Sequence, residues 1–181
     1  MPAKLTRLII LVGALGMFAG PLATSSWAAD LAPEAFYGRY SGAGISQNPL
    51  VGDFGYANRD MDVEIGAHGD GFFVEWTTVI YDFTADEPRR RAARLDFVPS
   101  ARAGVFVVAA SPAGPAEQLA WASINEDTLT VSILAILEGS SYSVQTYHRS
   151  LTEGGLSLYF VGDRDGQTTR VVTAFLHKEG G

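Results

Sequence analysis

The chain has 181 residues, 47% of them hydrophobic and 18% charged, which is the composition of one globular domain with a core of its own. It contains no cysteine, so disulfides, a lipid-modified N-terminal cysteine and thiolate catalysis are all excluded. Thirteen basic residues face 20 acidic ones, and that net charge of −7 argues against nucleic acid or an anionic lipid surface as partner.

Lys4 and Arg7 precede an apolar run from Leu8 to Gly20, and a small-residue region from Ala23 to Ala29 follows. This is the plan of a secretory signal peptide. Cleavage after Ala28 puts Ser26 and Ala28 at the positions a peptidase reads, whereas cleavage after Ala29 would put Trp27 there. The expected organisation is therefore a signal peptide over 1–28 and one domain over 29–181, located in the periplasm of a Gram-negative-type cell or secreted. An uncleaved anchor is the weaker alternative, because Gly13, Gly16, Gly20 and Pro21 interrupt a run that is short for a membrane span. No integral membrane span is expected after cleavage. Removing residues 1–28 takes away two basic residues and no acidic one, so the mature charge is −9.

Leu31 to Ala35 can form a short helical turn with Pro33 near its start. Phe36 to Ile45 is the first expected strand, with Gly38, Gly42 and Gly44 permitting bends. Residues 46–59 show no sustained alternation, and their apolar members, Leu50, Val51, Phe54 and Tyr56, require burial. A lid over a cavity would use them, and so would an Ω-loop packed on a barrel end.

Met61 to Asp82 reads as a β-hairpin. Met61, Val63, Ile65 and Ala67 alternate with polar residues, Phe72, Val74, Trp76 and Ile80 share one parity, and Gly69-Asp70 makes a two-residue turn. That turn sets Ala67 opposite Phe72, Ile65 opposite Val74 and Val63 opposite Trp76, so the apolar faces coincide. It also opposes Glu64 to Glu75, an unfavourable pairing. A basic neighbour such as an arginine from the following strand, or plain solvation, explains it more simply than a bound cation.

Phe83 to Pro88 is turn-like. Arg89, Arg90, Arg91 and Arg94 form the one basic cluster, read chiefly as neutralising the acidic hairpin and secondarily as an anion site. Ala93 to Val98 alternates as a strand. Gly104 to Ala110 is a continuous apolar run that fits a strand buried on both faces, bounded by the Ser111 to Pro115 turn. Strands follow over Gln118 to Ile124, Thr128 to Leu137, Tyr142 to Leu151, Leu156 to Val161 and Gln167 to His177, all joined by short turns. In the Tyr142 strand neither Tyr142, Val144, Thr146 and His148 nor Gln145, Tyr147 and Arg149 make a wholly apolar face.

Short connections make sequential neighbours antiparallel. About 8–10 such strands avoid exposed edges by closing into a meander barrel; a β-sandwich is the alternative. Gly38-Arg39-Tyr40, following a short helical lead, resembles the Gly-x-Trp opening of the calycins, the lipocalin and fatty-acid-binding barrels, with Tyr40 in the tryptophan's place. The resemblance implies a basic partner for Tyr40 across the barrel end, with Arg170 and Lys178 as candidates.

No catalytic motif stands out. His68, His148 and His177 lack metal-ligand spacing, Gly162 to Gly166 lacks the remaining oxygens of a calcium loop, and Gly139 to Ser143 is not a nucleophile elbow. No cofactor is indicated. The leading expectation is an exported barrel that binds a small apolar or amphipathic molecule through Phe73, Tyr81, Tyr142, Tyr147, Phe54 and Tyr56, with the 46–59 loop near its mouth. The alternatives are a filled barrel acting on an envelope protein partner, an outer-membrane barrel, and an isomerase or cyclase with Glu64 or Glu75 in its cavity.

Overall fold

The computed structural model describes residues 32–51, 55–81, 87–109 and 118–180. The expected signal peptide 1–28, Phe54, most of the expected turn at 83–88 and the expected turn at 111–115 lie outside the described residues. Ten antiparallel strands form a closed barrel: β1 (Gly38–Gln47), β2 (Tyr56–His68), β3 (Gly71–Ile80), β4 (Arg89–Pro99), β5 (Val105–Val108), β6 (Gln118–Asn125), β7 (Thr128–Ile136), β8 (Tyr142–Thr152), β9 (Gly155–Arg164) and β10 (Gln167–Lys178). Each pairs with its sequence neighbour, and β1 pairs with β10 to close the ring, from Tyr40 opposite Lys178 to Gln47 opposite Val171. Closure removes both sheet edges, which a ten-strand sheet would otherwise expose.

The β2–β3 hairpin has the register its turn demands, with Ala67 opposite Phe72, Ile65 opposite Val74 and Val63 opposite Trp76. Gly69 supplies the positive φ, at 54°. Glu64 and Glu75 do face each other on the outer wall. Arg39 Nε of β1 lies 3.2 Å from Glu64, and Arg94 of β4 lies 3.4 Å from Glu75, so basic neighbours on both flanks offset the repulsion.

One end of the barrel is filled. Pro33–Phe36 is a short 3-10 turn with the proline in its first turn, and it carries Phe36 into the core. The Tyr40 hydroxyl donates to the Phe36 carbonyl at 2.8 Å, and Lys178 Nζ stands 5.8 Å from the Tyr40 ring centroid. Lys178, not Arg170, is thus the basic partner of Tyr40. Beside this plug Ile65, Phe72, Val74, Phe97, Phe106, Val131, Leu156 and Leu176 pack as a continuous core. Phe72 contacts both Phe97 and Phe106, at centroid separations of 5.2 and 5.0 Å.

Four sequence expectations change. Tyr56 to Arg59 continue β2, because they pair with Gly44 to Gln47 of β1, so the first long connection shrinks to 48–55. Leu50, Val51 and Tyr56 are exposed rather than buried, Tyr56 because it takes the outward parity of a strand whose inward residues are Arg59, Met61 and Val63. The first strand starts at Gly38, since Phe36 belongs to the 3-10 turn. In the Gly104 run only Val105–Val108 is strand, and it is buried on one face: Phe106 points inward while Val107 is 42% exposed.

Polarity is arranged inside out relative to a lipid-embedded barrel. The interior over its filled half is apolar apart from Arg149, whereas the outer wall of β2 to β4 carries Asp60, Asp62, Glu64, Glu75, Arg94 and Asp96. Among the described residues no helix is long and apolar enough to cross a membrane.

Candidate functional site

Away from the plug the interior side chains no longer meet, and a cavity of about 300 Å³ opens between them. That is the low end of the range for small-molecule sites. Its mouth lies where β1, β3, β7 and β9 end and β2, β4, β8 and β10 begin, so the 48–55 connection is on the same end. Met61, Trp76, Ile80, Ile133, Leu158, Phe160 and Val172 form its apolar wall. Three rings pack against one another across it at a tilt of 52°: Tyr147 lies 5.2 Å from Trp76 and 4.7 Å from Phe160 between centroids. The Tyr147 hydroxyl donates to Gln145 Oε1 at 2.9 Å, and burial raises its pKa, so it stays a neutral phenol.

The polar part of the lining is cationic. Arg59 from β2, Arg91 from β4 and Arg170 from β10 all line the cavity, and no described lining residue is acidic. Arg59 is 8% exposed, and its Nε has no hydrogen-bond partner. Burial, then Arg170, Arg91 and Arg89, push its pKa down to about 10. Arg170 is lowered too, first by desolvation and next by Arg91. Both stay charged at neutral pH, so the mouth holds converging positive charges without a protein counter-ion among the described residues.

One further cation lies behind this wall. Arg149, one inward step beyond Tyr147 on β8, is completely buried, and its Nε and Nη1 lack partners. Burial lowers its pKa to about 10, while the Trp76 and Tyr147 rings lie over its guanidinium carbon at 5.7 and 5.0 Å.

Of the residues expected from sequence to hold a ligand, Tyr147 lines the cavity. Phe73 stands on the outer wall under Arg94, whose guanidinium carbon is 3.9 Å from its ring centroid. Tyr81 donates to Asp60 Oδ2 at 2.8 Å, and Tyr56, Tyr81 and Tyr142 are exposed. Phe54 lies outside the described residues. Glu64 and Glu75 are on the outer wall, which removes them as acids of an internal catalytic site. The basic cluster divides by parity: Arg94 bridges Glu75 and Asp96 outside, and Arg91 lines the cavity. Among the described residues no group of three histidine, aspartate or glutamate side chains is placed to hold a metal ion.

Arg91 belongs to the basic cluster read secondarily as an anion site. Arg59 was missed, and the meeting of Arg59, Arg91 and Arg170 was not foreseen, because they are far apart in sequence and closure alone assembles them. A signal was present in each strand: Arg59 shares parity with Met61, Val63 and Ile65, and Arg170 with Val172, Ala174 and Leu176. A charge in phase with an apolar face is costly to bury and marks an interior polar site.

Fold and site together define a closed ten-strand antiparallel barrel, filled at one end and hollow and cationic at the other. Among solved structures it is similar to an S-type phycobiliprotein lyase from Guillardia theta, with a TM-score of 0.55 and 8% sequence identity over 82% of this chain and 91% of that one. At that identity the likeness is one of fold. No family model matches the sequence, and neither does any curated protein.

Proposed function

We propose that this chain is a calycin-type binding barrel whose cavity holds a small amphipathic molecule, with the molecule's apolar part against Trp76, Tyr147 and Phe160 and an anionic end at the mouth. The observation that carries this reading is the meeting of Arg59, Arg91 and Arg170 on a largely apolar cavity with no acidic residue among its described lining. Cations gathered at the mouth of a concave, largely apolar site, with no counter-ion among the described residues, pre-organise it for an anion. The fold likeness supports a barrel of this kind, and the N-terminal sequence supports export to the periplasm or beyond.

Intrinsic fluorescence tests the reading directly. Beyond position 28 the tryptophans are Trp76, in the cavity, and Trp121, on β6. In a Trp121→Phe variant, titration with octanoate and with octanol should change Trp76 emission saturably. A flat response to both, and to octyl-tailed dianions as well, would sink the binding-barrel reading and favour the filled barrel that acts on a protein partner.

A further inference from the structure

The number of cations at the mouth exceeds what one ordinary anion satisfies, and that surplus constrains the ligand. A carboxylate has two oxygens and pairs bidentately with one guanidinium. Bound to Arg59 alone, it would leave Arg91 and Arg170 repelling each other and the pair beside them. These residues come from three different strands, and none of the three makes an ion pair with a described residue. Arg59 supplies the second, independent sign of a missing partner: it is 8% exposed, it lines the cavity, and its buried Nε meets no acceptor. Arg149 does not join this group, because Trp76 and Tyr147 lie over it.

We propose that the anionic end of the ligand carries two negative charges, as one phosphate-type head or as two neighbouring carboxylates, shared by Arg59, Arg91 and Arg170. A phosphate monoester offers three acceptor oxygens and close to two charges at neutral pH. A geminal dicarboxylate offers four oxygens and the same charge. Either spans guanidiniums converging from β2, β4 and β10, and Gln118 and Gln145 are neutral donors within the same lining. The apolar body then lies inward, along Ile133, Leu158 and Phe160. Arg91 and Arg170 are exposed at the mouth, which makes the head the part of the ligand nearest to water.

This inference rests on the binding-barrel reading, and its test separates the two. The full chain is titrated at pH 8 with octyl phosphate, octylmalonate, octyl sulfate, octanoate and octanol, all with the same tail. The dianions should bind at least tenfold tighter than octanoate and octyl sulfate. Lowering the pH through the second phosphate pKa, about 6, should weaken octyl phosphate and leave octyl sulfate unchanged. Arg91→Gln and Arg170→Gln, both at exposed positions, should each narrow the gap between dianion and monoanion. If only one dianion shows the preference, that result supports the proposal and names the head. Equal affinity for octanoate and the dianions overturns the double charge while leaving the binding barrel intact. No binding of any of the five overturns both.

Discussion

The guanidinium carbon of Arg149 lies 5.0 Å from the centroid of the Tyr147 ring, two residues away on the same strand, with Nε and Nη1 unpartnered. A fully buried cation in this state loses hydration that two aromatic faces restore only in part. Arg149→Met, of similar length and without the charge, should stabilise the fold by about 1 kcal/mol or more, as replacement of buried ionic groups commonly does. Urea denaturation at constant m-value checks this. A lower midpoint would mean that the aromatic contacts outweigh the desolvation.

Tyr40 combines two roles that substitution can separate. Tyr40→Phe keeps the ring under Lys178 but strands the buried Phe36 carbonyl, at a cost of about 1–3 kcal/mol. Lys178→Met should cost less, on the order of 0.5–1 kcal/mol, because its contact with the ring is 5.8 Å and near the surface. Thermal unfolding of the two variants should therefore rank Tyr40→Phe below Lys178→Met; the reverse order would place the weight of the plug on the ammonium.

On the outer wall Arg94 reaches Asp96 at 2.9 Å and Glu75 at 3.4 Å, and lies over Phe73. All of these groups are solvated, so Arg94→Ala should cost no more than about 1 kcal/mol. Most of that loss should disappear at 1 M salt, where the Debye length is about 3 Å. A loss that persists at high salt would assign the contribution to the Phe73 stack.

Asp165 gives a pH dependence with a definite sign. The Ser141 hydroxyl donates to Oδ2 at 2.6 Å and the Tyr142 N–H to Oδ1 at 2.9 Å, and these bonds hold its pKa below the ordinary 3.8. Because the folded value is the lower one, its contribution is fully present above the unfolded pKa and is lost as pH falls through the folded value. Asp165→Asn should thus be less stable than the parent at pH 6, with the difference shrinking toward pH 2. A difference independent of pH would show that the carboxylate charge is not what ties the two mouth turns together.

Gly155 opens β9 where a Cβ would collide with the Leu176 carbonyl of β10. Since that neighbour is backbone, Gly155→Ala must move the strand pair and should cost several kcal/mol, the range of strained core substitutions. Gly154→Ala is the contrasting case: nothing lies near its Cβ, but its φ of 81° is strained for a side chain, so a loss nearer 1 kcal/mol is expected. Comparing the two by chemical denaturation separates steric from conformational cost.

The ten strands and the β2–β3 register were legible because alternation and turn chemistry act over a few residues, and both pointed the same way at Gly69-Asp70. The length of β2 was not, since Tyr56 to Arg59 carry no alternation of their own and become strand by pairing with Gly44 to Gln47. Of the candidate site, the sequence pointed to Tyr147 and, through the basic cluster read secondarily as an anion site, to Arg91. On β8 the face that turned inward is Gln145, Tyr147 and Arg149, as polar as the one facing out, so periodicity could not choose between them. The choice is made by neighbours: Arg149 sits between Leu129 and Leu158, whose strands have unambiguous faces.

The seam between β1 and β10 also sets the order in which the molecule can be completed. Every other ladder joins strands adjacent in the chain, but this one joins residues 40–47 to residues 171–178. A nascent chain can assemble the meander from β1 through β9 as it is made, yet β1 waits with one row of backbone groups unpaired until β10 has been synthesised. Through that interval both β1 and β9 are open edges, the period in which such a chain is most exposed to pairing with another copy of itself.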